Sequence, residues 1–377
     1  MKIGIVCYPT YGGSGVVATE LGIALANKGH EIHFISYSQP FRLDTFSENI
    51  YFHEVNVPDY PLFEYAPYEL NLTSKLVDVV MHEHLNLLHV HYAIPHASAA
   101  LFAKQILHNH GINIPIITTL HGTDITLLGK DKSFKSVIEY SINKSDKVTA
   151  VSESLKEDTF SSFNINRTID VIPNFIDSKL YFPDMDIKLR NKYAKKDEFI
   201  ITHISNFRRV KRVDDVIYIF EKIREEIPAK LLMIGDGPER LQSEQLCRKL
   251  DLSKHVKYLG KLKIIEKILS ISDLFILPSE KESFGLVALE AMASKVAIIS
   301  SDTGGLPEVN MNGVTGYLSK VGDVQSMAEK SIKLLSDKNL LDIFKENAYN
   351  HSRKFDLPYI LPKYEELYKK VINSSNV

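Results

Sequence analysis

The sequence predicts an α/β protein of two doubly wound, Rossmann-like domains, and three observations carry that reading. Short apolar runs alternate with helical patterns along nearly the whole chain. The runs are apolar on both faces, as strands of a covered parallel sheet are. The length, 377 residues, exceeds what one hydrophobic core usually supports.

In the first half, strands are expected at "KIGIVC", "EIHFISY", "LLHVHYA", "IPIITTL", "KVTAVS" and "TIDVIP". Segments such as "SGVVATELGIALANKG" separate them, with helical periodicity and a terminal glycine. The alternation restarts with "FIITHIS", "KLLMIG", "VKYLG", "LFILP" and "AIISS", with helices such as "VDDVIYIFEKIREEI" between. The polar, Pro-containing stretch at 175–198 reads as a linker. This gives an N-terminal domain over 1–175 and a C-terminal domain over 176–354. The last segment, 355–377, is an amphipathic helix able to pack back on the first domain. Ligands of open parallel sheets bind at the carboxyl ends of the strands, so two rims facing a central cleft are expected.

Composition excludes several classes of function. Lys and Arg number 45 against 47 Asp and Glu, a net charge of -2 that offers no general attraction to nucleic acid or anionic membrane. Cys7 and Cys247 are too few for a disulfide framework, and no segment has the ~18 to 20 apolar residues that span a bilayer. A cytoplasmic protein without stable membrane association is the expectation.

Chemistry-bearing motifs fall at strand ends. Gly12, Gly13 and Gly15 follow the first strand and open a helix, where bare backbone N–H groups and the helix dipole favour an anion; Ser14 reads equally as a helix cap. The order GGxG departs from the dinucleotide fingerprint GxGxxG, which argues against a dehydrogenase. In "TTLHGTDITLLG", His121, Gly122, Thr123 and Asp124 cluster at the end of a strand, although Asp124 also suits a turn. The run "HEHLNLLHVHYAIPH" holds five histidines without zinc-ligand spacing, so no metal site is expected, and Tyr92 is its better site candidate. Arg208, Arg209, Lys211 and Arg212 follow the first strand of the second half, where cations suit a diphosphate. In "MIGDGPERL", Gly235 and Gly237 serve either a nucleotide or a tight turn. In "ESFGLVALEAMA", Glu282 falls in a strand-to-helix loop and Glu290 about two turns into the helix, with Phe284, Gly285 and Leu286 between; the plain alternative for Glu290 is an exposed helical carboxylate. Gly304 and Gly305 add bare backbone nearby.

Together these residues resemble the retaining family-4 glycosyltransferases of GT-B fold. Glu282, Phe284, Gly285 and Glu290 match that family's E-x-F-G-x-x-x-x-E element. The GGxG loop, HGTD, Lys211, IGDGP and Thr303-Gly304-Gly305 with Pro307 and Glu308 follow in the family's order over almost the full chain. The resemblance implies that Glu290 binds the ribose of UDP and that Glu282 binds the donor sugar near the reacting centre. It also implies that Lys211 holds the diphosphate with the backbone of Gly12, Gly13 and Ser14, and that His121 approaches the sugar from the acceptor side. Asn206 stands where many members carry an Arg five residues before the Lys, and Arg208 is its candidate substitute; Gly237 and Leu286 complete the implied donor site.

The segments "CYPTYGGSGVVATELG", "HYAIPHA" and "SNFRRVKR" resemble the branch that transfers N-acetylglucosamine from UDP-GlcNAc to the hydroxyl of L-malate, the first step of bacillithiol biosynthesis. Catalysis then requires no metal and no cofactor, because the leaving diphosphate takes the acceptor proton. A homodimer is compatible with the resemblance. For the malate dianion, Ser14, Tyr92, Thr123, Lys135 and Arg42 are the positional candidates. Alternatives are a family member with a lipid or polysaccharide acceptor, a UDP-sugar epimerase of the same fold, or a non-catalytic sensor.

Overall fold

The computed structural model describes residues 1–10, 12–43, 47–57, 67–127, 129 and 131–375. The chain divides into two compact units: unit 1 is Met1–Asn174 with Pro358–Val377, and unit 2 is Phe175–Leu357.

Unit 1 is built on β1 (Lys2–Val6), β2 (Glu31–Ser36), β3 (Ile50–Glu54), β4 (Leu87–His91), β5 (Ile116–Leu120), β6 (Lys147–Ala150) and β7 (Ile169–Val171). They pair all parallel in the order β3-β2-β1-β4-β5-β6-β7. Every residue of β4 and β5 is buried, the consequence of helices on both faces. Leu88 and Val90 of β4 join Leu72, Leu76 and Val79 of the helix Tyr68–Glu83 and Leu107 of the helix Ser98–Asn109 in one core. Each such side chain contributes about 1.5–3 kcal/mol when buried, which is why the apolar runs go inside.

Unit 2 repeats the design with β8 (Phe199–Ile204), β9 (Ala229–Ile234), β10 (Val256–Gly260), β11 (Leu274–Leu277), β12 (Ala297–Ser301) and β13 (Gly316–Ser319). These strands are also all parallel, in the order β10-β9-β8-β11-β12-β13. One face packs Phe207, Val216 and Phe220 with Met327, Leu334 and Phe344; the other packs Ile200, Leu232 and Ile271.

Two strands go beyond the sequence reading, β3 and β13, and both are sheet edges. An edge strand is covered less completely, so β3 alternates buried Ile50 with exposed Tyr51 and Glu54 and lacks the two-faced apolar signature. The stretch at 175–198 is not a free linker. It carries the helix Ile187–Tyr193, capped by Asp186, and Arg190 of that helix reaches Asp273 at 2.9 Å and the Ile271 carbonyl at 2.7 Å. No residue of the helix is buried, so it lacks an apolar stripe.

The last helix, Leu357–Ser375, belongs almost wholly to unit 1; Asn376 and Val377 lie outside the described residues. Tyr364 and Tyr368 are fully buried, with the Tyr368 hydroxyl 2.8 Å from His89 Nδ1, and Glu365 Oε1 lies 3.1 Å from His30 Nε2. The chain leaves and re-enters unit 2 through paired segments. The Ile176 amide donates to the Phe355 carbonyl, the Leu357 amide donates to the Ile176 carbonyl, and Ser178 Oγ donates to Asp356 Oδ2 at 2.7 Å.

Candidate active site

In unit 2 the end of β11 leads through 278–285 into the helix Leu286–Ala293, and the loop carries Glu282. Its Oε1 accepts from Lys211 Nζ at 2.5 Å and from Ser279 Oγ at 2.9 Å. Both side chains of the ion pair are largely buried, 19% and 12% exposed, so solvent screens it less than a surface pair. Lys211 ends a short 3-10 turn, Arg209–Lys211, and the Glu280 amide donates to the Val210 carbonyl beside it, which ties the two loops together. His203 of β8 braces the arrangement from below. Its Nδ1 lies 2.9 Å from the Ile276 carbonyl and its Nε2 lies 2.8 Å from Ser205 Oγ, and burial holds its pKa down to about 4, so the ring is neutral.

Gly304 and Gly305 explain themselves here. A Cβ on Gly304 would fall 1.9 Å from the Glu282 carbonyl oxygen, and one on Gly305 would fall 2.4 Å from that of Ser283. The pair is bare because the Glu282 loop lies directly on it, and the Gly305 amide donates to the Glu282 carbonyl. Gly285, at φ +91, caps the helix in a conformation that L side chains rarely adopt. Phe284 is buried, its ring edge-on to Phe355.

Glu290 sits one turn into its helix, not two, and it is not an exposed helical carboxylate. It is 7% exposed, and its Oε1 accepts from the Tyr181 hydroxyl at 2.7 Å. Asn206 and Arg208 are both exposed beside Lys211. Gly237 is close-packed, with a would-be Cβ 2.0 Å from the Asn206 carbonyl oxygen, so its bareness serves the protein's own loop first.

In unit 1 the helix Ser14–Ala26 starts with no side-chain cap and no acidic residue in its first turn. Gly13, at φ +61, is the N-cap, and Ser14 is not. A Cβ on Gly12 or Gly13 would meet nothing within 4 Å. The first N–H groups of the helix therefore have no side-chain partner from a cap residue, and the helix dipole points its positive end there. Ser14 Oγ is 2.6 Å from the hydroxyl of Tyr92, which follows β4 at φ +88, and burial pushes the Tyr92 phenol up to about 12. The Tyr92 ring lies 5.3 Å from His121, with Thr123 two residues further along the chain. Ser14, Tyr92, Thr123 and His121 thus form one group at the carboxyl ends of the strands.

His121 Nε2 pairs with His91 Nδ1 at 2.7 Å, and burial lowers its pKa to about 3. The imidazole is neutral at physiological pH, suited to exchanging a hydrogen bond and not to carrying charge. Asp124 is wholly buried, accepts from the Ala93 amide at 2.7 Å and the Gly122 amide at 3.2 Å, and is pushed up by burial to about 6. It holds the two strand-end loops together. Arg42 and Lys135 each lie beside a carboxylate. Arg42 Nη1 is 2.7 Å from Glu20 Oε1, and the half-exposed Lys135 leans on Glu139 at 3.8 Å.

Residues 11–180 match the family model described as Glycosyltransferase Family 4, and residues 185–351 match the one described as Glycosyl transferases group 1. The N-acetyl-alpha-D-glucosaminyl L-malate synthase of Bacillus anthracis is 49% identical over 377 residues, 99% of this chain and 97% of that protein. The chain belongs to the family-4 glycosyltransferases.

A more distant relative is the phosphatidylinositol N-acetylglucosaminyltransferase GPI3 subunit of Saccharomyces cerevisiae, 23% identical over 98% of this chain and 82% of its own. The GT-B fold is shared with solved structures. Anabaena HepE in complex with UDP and glucose superposes with a TM-score of 0.83 at 20% identity, covering 98% of this chain and 99% of that one. Sucrose-phosphate synthase from Thermosynechococcus elongatus gives 0.82 at 20% identity, covering 99% and 100%. The glycosyltransferase has no helix among its described residues long and apolar enough to cross a membrane.

Three supporting residues of the glycosyltransferase escaped the sequence reading as site residues: Tyr181 behind Glu290, Ser279 behind Glu282 and His91 behind His121. Ser279 and His91 lie near recognised motifs, but Tyr181 lies in the stretch taken for a linker, where no pattern singles it out.

Proposed function

We propose that this glycosyltransferase transfers N-acetylglucosamine from UDP-GlcNAc to the hydroxyl of L-malate with retention at the anomeric carbon. The observation that carries the reading is the Lys211–Glu282–Ser279 cluster beside the buried Glu290, in a chain 49% identical to an N-acetyl-alpha-D-glucosaminyl L-malate synthase.

In unit 2, Lys211 neutralises the charge that develops on the departing diphosphate, a role that needs a fixed cation in a partly dry setting. Glu290 accepts from the ribose hydroxyls. Glu282 accepts from the sugar; Lys211 and Ser279 both occupy Oε1, which leaves Oε2 to the donor. In unit 1, the uncapped start of the helix at Ser14 offers N–H donors to an anionic group, either the diphosphate or a malate carboxylate. Ser14, Tyr92 and Thr123 supply hydroxyl partners for the acceptor. Neutral His121 positions a hydroxyl, and the acceptor proton goes to the leaving diphosphate oxygen, so no strong protein base is needed.

The test is incubation with UDP-GlcNAc, with and without L-malate, in EDTA. UDP release that depends on malate, with a product mass equal to the joined sugar and acid, is expected. UDP release without malate would replace the proposal by hydrolysis or epimerisation.

A further inference from the structure

Unit 1 holds a second cluster of chemistry-bearing side chains at the other end of its sheet. His33 lies in the middle of β2, His53 on the edge strand β3, and Glu83 is the last residue of the helix Tyr68–Glu83. Each offers one ligand atom, and the three atoms lie within 4.8 Å of one another. His33 is fully buried, while His53 and Glu83 are partly exposed, so the group opens to solvent on one side. Lys2 and Glu31, the first residues of β1 and β2, border it, which places it toward the amino ends of the strands. Ser14, Tyr92 and His121 follow the carboxyl ends.

The hydrogen bonding sets the tautomer. The Glu31 carboxylate accepts from the Lys2 ammonium at 2.8 Å, and a carboxylate at pH 7 is ionised and only accepts. His33 Nε2, 3.2 Å from Glu31 Oε1, must therefore carry the proton. The lone pair of His33 is then on Nδ1, 2.9 Å from His53 Nε2, with the two ring planes 15° from parallel. A carboxylate that fixes the proton on the far nitrogen of an imidazole is the usual outer partner of a metal-binding histidine.

We propose that His33 Nδ1, His53 Nε2 and Glu83 bind a zinc-class divalent cation, with Glu31 as the outer carboxylate. Two imidazoles and one carboxylate form a borderline donor set that suits Zn²⁺. With bonds of about 2.0–2.1 Å, tetrahedral ligands stand about 3.3 Å apart. The histidine pair opens by a few tenths of an ångström, and the partly exposed Glu83 carboxylate swings inward. His53 moves its proton from Nε2 to Nδ1, so no net proton is released. The site ties β3 to β2 and to a helix end, stapling an edge strand of the sheet, and it takes no part in transfer. Sequence reading missed it because its ligands lie 20 and 30 residues apart on three elements; the histidine-dense run lies elsewhere.

The test is calorimetric titration of the full chain, stripped of metal by chelator, with Zn²⁺ alone at pH 7.5. One equivalent is expected to bind with micromolar or tighter affinity and to raise the melting temperature. His53→Asn and Glu83→Gln should each weaken that binding at least about 10-fold, and Glu31→Gln by a similar factor. His82→Asn, which removes an exposed imidazole of the same helix, should not. Melting of the metal-free variants separates lost ligation from lost folding, and Glu83→Gln stands alone if the His53 variant is unstable. Absence of a strong site in the parent chain, or equal binding by the parent and the His53→Asn/Glu83→Gln double variant, overturns the proposal.

Discussion

Lys211 Nζ lies 2.5 Å from Glu282 Oε1, so the cation assigned to the diphosphate and the carboxylate assigned to the sugar are each other's partners. The pair keeps both long side chains in place and lets neither stand as an uncompensated charge in a largely buried setting. The two residues should nevertheless separate kinetically. Lys211→Met is expected to weaken UDP by about 10- to 100-fold in calorimetry. Glu282→Gln should lower turnover by about 10²-fold or more while UDP still binds within a few-fold of normal. Unchanged UDP affinity in the Lys211 variant would reduce that lysine to a structural counter-ion.

Tyr181 orients Glu290 by donating to Oε1. Tyr181→Phe keeps the ring in its buried place and removes the hydroxyl. A neutral-to-charged hydrogen bond of this kind contributes about 1.5–3 kcal/mol, part of which appears in donor binding. The expected result is a KM for UDP-GlcNAc raised about 3- to 10-fold with kcat nearly unchanged. A fall in kcat alone would place the tyrosine elsewhere in the reaction.

The same Gly→Ala change should have opposite readouts at two positions. At Gly304 the added methyl meets the Glu282 carbonyl oxygen at 1.9 Å, at a residue with φ +54. A loss of about 2–4 kcal/mol is expected, visible as a lowered melting temperature together with reduced turnover. At Gly12 the methyl meets nothing within 4 Å, so the melting temperature should hold while the KM for a substrate rises as the methyl enters its space. If Gly12→Ala leaves both KM values untouched, the loop is only a turn.

Stability should fall as the pH drops below about 6.5. Burial lowers His89 and His121 to about 3 and His96 and His203 to about 4, so the folded chain keeps them neutral while the unfolded chain takes up protons below 6.5. The unfolded state therefore binds more protons, and each histidine removes on the order of 1 kcal/mol per pH unit in that window. Asp124, raised to about 6, acts with the opposite sign below that pH, but it is one group against four. Thermal melts at pH 7.5 and 5.5 check this, and equal stability at the two values would contradict it.

How much was legible in the residues depended on how each element meets solvent. The central strands were readable because burial on both faces demands continuous apolar runs, as in β4 and β5. Of the edge strands, β7 and β10 were read, but β3 and β13 were not; β3 mixes buried Ile50 with exposed Tyr51 and Glu54, which breaks the apolar run. Glu282, Glu290 and Lys211 stood out through their setting between strand and helix, yet nothing in the spacing revealed that Lys211 and Glu282 pair or that Glu290 is buried. Gly304 shows the same limit. Bare backbone was visible in the sequence, but only the fold shows that a loop of the protein itself occupies the space.

The return of the last helix to unit 1 has a bearing on biosynthesis. A ribosome delivers every residue of Phe175–Leu357 before it delivers Tyr364 and Tyr368, the side chains that seal the first unit over His89. The first unit therefore cannot be completed until the whole of the second has been synthesised. Before those residues are made, the surface around His89 that Tyr364 and Tyr368 cover stays exposed, the kind of apolar surface that chaperones bind.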